Sequence, residues 1–279
     1  MIEINNFSFF YPASDKKSLH GINLTIDKGD FVLISGPTGA GKTTLCLSIA
    51  GIMHHFNEGV KEGNIYLENK DIMEYKHFSE ISKKLGILFD DVEAQLILTT
   101  VEEEIQFGLE NRGFDKSRIE SILEETLDKL DIKPLRKKAP HELSGGQKQR
   151  VALASILALD PEIIILDEPT SELDPVYTKK FFNILSELNK DGKTIIVVEN
   201  KLDELLPMVK KMVVLKEGKI VVQGSPDKIL HNKEARELID LPQYAKMAIL
   251  LEKKGIPLKK IPYTLKETRE LIDLLVVKK

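Results

Sequence analysis

The richest chemistry in this 279-residue chain lies in Gly36-Pro37-Thr38-Gly39-Ala40-Gly41-Lys42-Thr43, which fits G-x-x-x-x-G-K-[ST] at every fixed position. Glycines at these spacings let a backbone wrap a chain of phosphates. Successive N–H groups and the positive N-terminus of a following helix then face the anion. Lys42 has the reach to bring its charge to the β- and γ-phosphates, and the Thr43 hydroxyl is a hard oxygen ligand for Mg²⁺. Such a loop works as a phosphate cradle only between a strand and a helix. The apolar run Phe31-Val32-Leu33-Ile34 supplies the strand, and Leu45 to Ala50, entered through Thr44, supplies the helix. This stretch reads as a nucleotide-binding site.

Two further groups belong with it. Ile163-Ile164-Ile165-Leu166 is followed by Asp167-Glu168, two carboxylates at the C-terminal end of a buried strand. In open α/β sheets ligands sit at that edge. Asp167 suits an outer or water-mediated Mg²⁺ ligand, and Glu168 a group that orients and polarises an attacking water. Ser144-Gly145-Gly146-Gln147 opens a helix running through Val151 to Leu159, with Ser144 as N-cap and two glycines that permit close approach to an anion. The first loop already accounts for one triphosphate. The second helix N-terminus therefore points to a nucleotide held by another molecule.

The elements that must position these groups follow from hydrophobic spacing. Ile2-Glu3-Ile4, Phe7-Ser8-Phe9 and Leu19 to Ile26 read as short strands, with further strands at Asn64 to Leu67 and Leu85 to Phe89. Ile105, Leu109, Ile119, Ile122, Leu123, Leu127 and Leu130 take helical spacing, broken by Pro134 and Pro140. The Arg136-Lys137-Lys138 run between the prolines reads as a solvated basic loop. Ile163 to Leu166 and Thr194 to Val198 are continuous apolar runs, as in a parallel sheet covered on both faces, and Val176 to Asn189 is the crossover helix. Met212 to Leu215 and Ile220 to Val222 form a hairpin. Helical patterning follows at Ile229 to Leu241, Ala245 to Lys253 and Leu265 to Leu275. The sum is an α/β nucleotide domain with a helical insert and a helical tail.

Composition narrows the class. Hydrophobic content of 42%, charged content of 30% and a net charge of −4 suit a globular protein. They leave no basic footprint for nucleic acid, so no nucleic-acid partner is expected. No run approaches the ~18 apolar residues of a membrane span, and Met1 to Asn6 has no signal-peptide character. Cys46, the single cysteine, reads as a buried structural thiol. His54 and His55 are adjacent and so expected to point apart on a helix, which argues against a metal pair.

The order of these motifs resembles the ABC-type ATPases. Tyr11 comes first, then the phosphate loop, Leu143-Ser144-Gly145-Gly146-Gln147, the acidic strand end and Ser171-Glu172-Leu173-Asp174. The resemblance covers at least residues 1 to 225. It implies a P-loop fold with an N-terminal antiparallel β subdomain, a helical subdomain near 92–160 within an ATPase domain of 1–240, and a helical extension at 241–279. It also implies ATP and Mg²⁺ as cofactors, Tyr11 stacked on adenine, and two ATPase subunits facing head to tail. Each would complete the other's site with its signature, Ser144 to Gln147.

Within that family the chain is most similar to the ATPases of energy-coupling factor importers for vitamins or transition-metal ions. The cues are Asp90 to Leu96, Thr100 through Gly108, and the tail from Leu241-Pro242-Gln243-Tyr244 to Lys254-Gly255-Ile256-Pro257. This implies a peripheral subunit on the cytoplasmic face of the cell membrane, bound to an integral coupling subunit and a substrate-binding membrane subunit. Docking is expected near Asp90 and the 92–140 insert. Two positions depart from the family pattern. Asp90 stands where a glutamine would touch Mg²⁺, with Gln95 no obvious substitute, and Asn200 stands where the switch histidine would be. Asp90 remains able to ligate Mg²⁺, but Asn200 cannot carry a proton or a positive charge. These departures favour a heterodimer with a sister ATPase. The alternative reading is a regulatory subunit whose own site hydrolyses little. A chromosome or DNA-repair ATPase is disfavoured by the acidic charge and the absence of a long heptad insert.

Overall fold

A computed structural model describes residues 1–12, 16–256, 258 and 260–276. The two apolar triplets at the start form one strand, β1 (Ile2–Phe10), rather than two. The register with β2 (Leu19–Ile26) shifts between Ile4 and Phe7, and Asn6 takes a φ of +49°. An extra residue in one strand re-aims the side chains after it. Ile2, Ile4, Phe7 and Phe9 are therefore all buried despite the odd spacing between Ile4 and Phe7.

The chain then enters β3 (Phe31–Ser35), α1 (Lys42–Ile49) and the short α2 (Ile52–His55). It returns to the first sheet as β4 (Val60–Leu67) and β5 (Lys70–Asp71), giving an antiparallel sheet of order β2-β1-β4-β5. After α3 (Phe78–Ser82), β6 (Leu85–Leu88) opens a second sheet. Between β6 and its neighbour β7 (Ile163–Asp167) lie α4 (Val92–Gln95), α5 (Val101–Asn111), α6 (Lys116–Lys129) and α7 (Gly145–Leu157). The crossover α8 (Pro175–Lys190) joins β7 to β8 (Thr194–Val198), and the two strands pair in parallel from Ile163↔Thr194 to Asp167↔Val198. The hairpin β9 (Lys211–Lys216) and β10 (Lys219–Gly224) completes the order β10-β9-β3-β8-β7-β6.

Every residue of β3, β7 and β8 is buried, as continuous apolar strands in a doubly covered sheet require. Alternation still sorts their side chains. Val32, Ile34, Ile165 and Val198 pack with α1 and the antiparallel sheet. Leu33, Leu166, Ile195 and Val197 pack with the helical insert and α8.

The insert is built from capped, amphipathic helices. Glu103 N donates to Thr100 Oγ1 at 3.3 Å while the Glu103 carboxylate accepts Thr100 N at 3.1 Å, a reciprocal cap of α5. Val101, Ile105 and Leu109 of α5 meet Ile119, Leu123 and Leu127 of α6 in one core. The basic run 136–138 is not simply solvated, which corrects the expectation above. Arg136 is largely covered and reaches Glu102 at 2.7 Å, Glu124 at 2.5 Å and Glu120 at 2.9 Å. Lys137 also pairs with Glu102. These partners come from two helices distant in sequence, so local charge counting does not find them.

Beyond the hairpin, the pattern from Ile229 to Leu241 divides into α9 (Pro226–His231) and α10 (Lys233–Leu238). Asn232 caps the second helix through Ala235 N at 2.9 Å. Then come α11 (Gln243–Lys253) and α12 (Leu265–Val276). Ala245 and Ala248 pack into the same core as Leu202 and Leu205, and the Tyr244 hydroxyl donates to the Asp203 carbonyl at 2.8 Å. Pro257 of the tail pattern, and 277–279 of the extension, lie outside the described residues. Among the described residues no helix is long and apolar enough to cross a membrane.

The fold generates one stability prediction. Arg136→Ala removes the cation shared by Glu102, Glu120 and Glu124, leaving Glu102 only Lys137 and Glu124 only Lys133, and the partly covered network should lose about 1 kcal/mol. Urea unfolding measures this. A loss under a few tenths of a kcal/mol, or one indifferent to salt, would contradict it.

Candidate nucleotide-binding site

Residues 36–41 turn between the end of β3 and the start of α1, and glycine is required there for two separate reasons. Gly36 has a φ of +142°, and a Cβ on it would lie 2.1 Å from the Leu215 carbonyl oxygen. Gly41 has a φ of +97°, with the Ser18 carbonyl oxygen 2.7 Å from a Cβ. Gly39 meets no such obstruction and needs glycine only for its left-handed φ of +77°. The loop is buttressed from the β9–β10 turn, where Gly218 N donates to the Ala40 carbonyl at 2.9 Å. Pro37 and Thr38 are exposed at its rim. Lys42 is buried, and its Nζ donates to the carbonyls of Gly36 at 2.8 Å and Pro37 at 3.2 Å. The loop thus curls round its own lysine.

Asp167 ends β7 beside this loop, with the Thr43 hydroxyl near enough to favour its charged form. Burial, with smaller contributions from Asp90 and Glu168, pushes the Asp167 carboxyl up to about 6, against the opposing pull of Thr43 and Lys42. Glu168 sits at a φ of +46°, an uncommon conformation for a residue with a Cβ. The loop, the acidic strand end and Asp90 line an open cleft of about 1190 Å³. Asn200 is brought to Glu168, its Nδ2 donating to Oε1 at 3.2 Å. Gln95 turns the other way. It accepts from Phe89 N at 3.1 Å and donates to the Ile87 carbonyl at 3.0 Å, pinning α4 to the end of β6.

Tyr11 is held beside the loop through its hydroxyl, 3.1 Å from Thr44 Oγ1, with its ring edge-on to Phe9. Phe10, which sequence reasoning passed over, lines the cleft with Lys17, whose Nζ stands 4.8 Å from the ring centre. His20 and the turn Glu217-Gly218 also reach the cleft. No local motif marks them, because they arrive through sheet pairing.

The Ser144 to Gln147 segment begins α7 on a different part of the surface. Gln147 Oε1 accepts Ser144 N at 3.0 Å, so this side chain closes the cap. A Cβ on Gly145 would lie 2.8 Å from Glu172 Oε2, and one on Gly146 3.1 Å from the Glu172 carbonyl. The glycines therefore admit the 171–174 segment against the helix start. Gln149, also missed in the sequence, is buried and donates to Ser171 Oγ at 3.0 Å.

The donor set fits a nucleotide-bound Mg²⁺. Mg²⁺ is usually held by one or two carboxylates with phosphate oxygens and water, not by an all-protein cage. Among the described residues no group of three His, Cys, Asp or Glu forms such a cage. Thr43 and Asp167 are hard oxygen donors, and the raised Asp167 carboxyl marks a buried negative charge without a full counter-charge. When bound, the ion would neutralise phosphate charge. The His54–His55 reading needs one correction: the rings meet edge to face at 4.9 Å rather than pointing apart. α2 is four residues long and ends at His55, where Phe78 crowds the ring.

A glycine loop between a parallel strand and a helix, with an acidic strand end against its Lys and Thr, defines a phosphate-loop nucleotide-binding protein. The sequence model of the ABC transporter family matches residues 19–171, and the chain belongs to that family. A protein of Methanosarcina mazei named among the ABC transporter ATP-binding proteins is 47% identical over 226 residues, 81% of this chain and 45% of that one. A similarly named protein of Pyrococcus abyssi is 38% identical and covers 92% of both chains. The chain thus spans under half the length of some relatives and nearly all of others. Among solved structures, cbiO1 from Clostridium perfringens, part of the ABC transporter complex cbiONQ, superposes with a TM-score of 0.72. It shares 31% identity over 91% of this chain and 96% of that one. A dimeric post-hydrolysis state of the ATP-binding cassette MJ0796 bound to ADP and Pi gives 0.73 at 29% identity, over 81% of this chain and 98% of that one. The α/β core, antiparallel subdomain and helical insert are those of an ABC ATPase.

Two predictions arise from the site. Lys42→Ala removes the point charge that would face the β- and γ-phosphates of a bound nucleotide and should weaken Mg-ATP binding about 10- to 100-fold; equal affinities by calorimetry would contradict this. The second concerns pH. Asp167 titrates near 6 when folded, against 3.8 ordinarily. Between those values the folded chain holds the extra proton, so its stability falls as pH rises. The loss is at most about 3 kcal/mol and should be missing in Asp167→Asn. Urea unfolding of both proteins in EDTA across pH 4 to 7 measures it, and parallel stability curves would refute it.

Proposed function

We propose that this chain is the ATP-hydrolysing subunit of an energy-coupling factor type importer for vitamins or transition-metal ions. It works at the cytoplasmic face of the cell membrane as one half of a head-to-tail heterodimer. The observation that carries the reading is the pairing of Lys42 and Thr43 with Asp167 and Glu168 in one cleft. Similarity to cbiO1 over nearly its whole length favours the importer type. Relatives of about twice this length are compatible with two such units working together.

In this reading Lys42 and the loop amides hold the triphosphate, and Tyr11 or Phe10 offers an aromatic face to the base. Thr43 and Asp167 hold Mg²⁺, with Asp90 as a shorter, negative replacement for glutamine. Glu168 orients the attacking water, and Asn200 holds Glu168 by the contact at 3.2 Å. Asn is a donor only at its amide and cannot gain a proton, so the chain's own site lacks the charge a histidine would supply. The signature at Ser144 to Gln147 has its cap intact and serves the partner's nucleotide. Closure on ATP and opening after hydrolysis drive the membrane subunits.

Docking of the coupling subunit is assigned to the side of the insert next to Asp90. There Phe78, Ile97 and Phe107 border a cleft of about 290 Å³ between the parallel sheet and α5. Ile97 and Phe107 are 70% and 45% exposed, which suits an apolar helix from a membrane partner. The second reading, a regulatory subunit that hydrolyses little, is favoured by Asp90 and Asn200 in place of the family's glutamine and histidine.

Steady-state ATPase of the reconstituted complex separates these readings. Glu168→Gln should lower turnover modestly, whereas changes at Ser144 or Gly146 should lower it severely. Asn200→His should raise hydrolysis by the isolated chain by ~10-fold or more. If Glu168→Gln abolishes turnover while the signature variants barely matter, the asymmetry runs the other way.

A further inference from the structure

Glu199 stands out among the groups that the proposed mechanism leaves unused. It is 4% exposed and directly follows the apolar strand β8. Its Oε1 accepts the hydroxyl of Thr170 at 2.5 Å, and Thr170 is itself fully buried. We propose that Glu199 is a positioning residue for hydrolysis. Through Thr170 it locks the end of β8, and with it Asn200, to the turn that carries Glu168. The inference rests on the reading of Glu168 as the group that orients the attacking water.

The geometry makes this contact a strut. The turn 168–171 starts at Glu168 in an uncommon left-handed conformation with a φ of +46°, so it needs outside support to stay there. One support is the main-chain bond from Glu168 N to the Val198 carbonyl at 3.0 Å. A second is the Asn200–Glu168 side-chain contact, whose geometry depends on where β8 ends. Glu199 N donates to the Ile34 carbonyl at 3.2 Å, which ties the same residue to the strand that feeds the phosphate loop. Glu199 therefore joins the end of β8 to the end of β3 and to the turn that leaves β7. A buried carboxylate oxygen without its partner would cost more than the contact's net contribution, so side chain and turn settle together.

Burial pushes the Glu199 carboxyl above its ordinary value, Glu168 adds to this, and the Thr170 hydroxyl, Lys201 and the Asn200 backbone oppose it. A strut needs an acceptor oxygen at this place and not a charge. Glutamine, with a carbonyl oxygen at the same reach, should serve.

The test is single-turnover hydrolysis of γ-labelled ATP by the full chain in excess over nucleotide, with ATP affinity and thermal midpoint measured alongside. Glu199→Ala should slow hydrolysis ~10-fold or more while ATP affinity changes less than ~3-fold. Thr170→Val removes the donor at nearly constant shape and should slow hydrolysis similarly. The double variant should be little worse than either single one, and Glu199→Gln should retain most of the wild-type rate. If Glu199→Ala fails to fold, Thr170→Val carries the test. Unchanged hydrolysis in Thr170→Val, a Glu199→Gln rate as low as that of alanine, or a wild type without measurable turnover would each overturn the proposal. Glu168→Gln separates the two failures. Full activity in that variant sinks the reading of Glu168, whereas a stalled Glu168→Gln beside a fully active Thr170→Val sinks the strut alone.

Discussion

Parallel pairing of β8 with β3 on one side and β7 on the other brings the carboxyl ends of three strands to one edge, and each end turns into a piece of the cleft. β3 runs into the glycine loop, β7 into Asp167 and Glu168, and β8 into Glu199 and Asn200. A slip of one residue in either pairing would turn every following side chain to the opposite face. The uninterrupted Ile, Leu and Val of these strands therefore set more than stability. Their burial on both faces fixes the register that places Lys42 and Thr43 against Asp167.

That arrangement concentrates negative charge before any ligand is considered. Asp167, Glu168 and Asp90 face one another, and burial makes the Asp167 charge costly. Lys42, curled under the loop by its bonds to Gly36 and Pro37, offsets part of this. A site with phosphate donors on one wall and crowded carboxylates on the other is suited to an anion and a hard cation arriving together.

The helical insert shares its apolar core with one face of the parallel sheet, and polar contacts add to that packing at this edge. Gln95 pins α4 to β6, Glu93 pairs with Lys148 of α7, and the buried Glu104 carboxylate accepts the main-chain N–H groups of Ile97 and Leu98 at 3.0 and 2.8 Å. The segment leaving Asp90 is thus held at both ends.

The sequence by itself determined the phosphate loop, the acidic strand end, the signature helix start and the α/β plan. Each of these is written in neighbouring residues, either as a glycine pattern or as the burial period of one element. It also marked the Asn200 position against the family pattern. What local spacing could not carry was decided by tertiary structure. The bulge at Asn6 joined two apparent strands into one, and Arg136 found its carboxylates on α5 and α6 instead of in solvent. Phe10 and Gly218 reached the cleft through the meeting of two sheets. Glu199, a charge closing an apolar strand, drew no reading from the sequence, and its partner appears only once parallel pairing sets Thr170 beside it. A hydrogen bond or ion pair across dozens of residues leaves no period in the sequence, because its partners are chosen by packing.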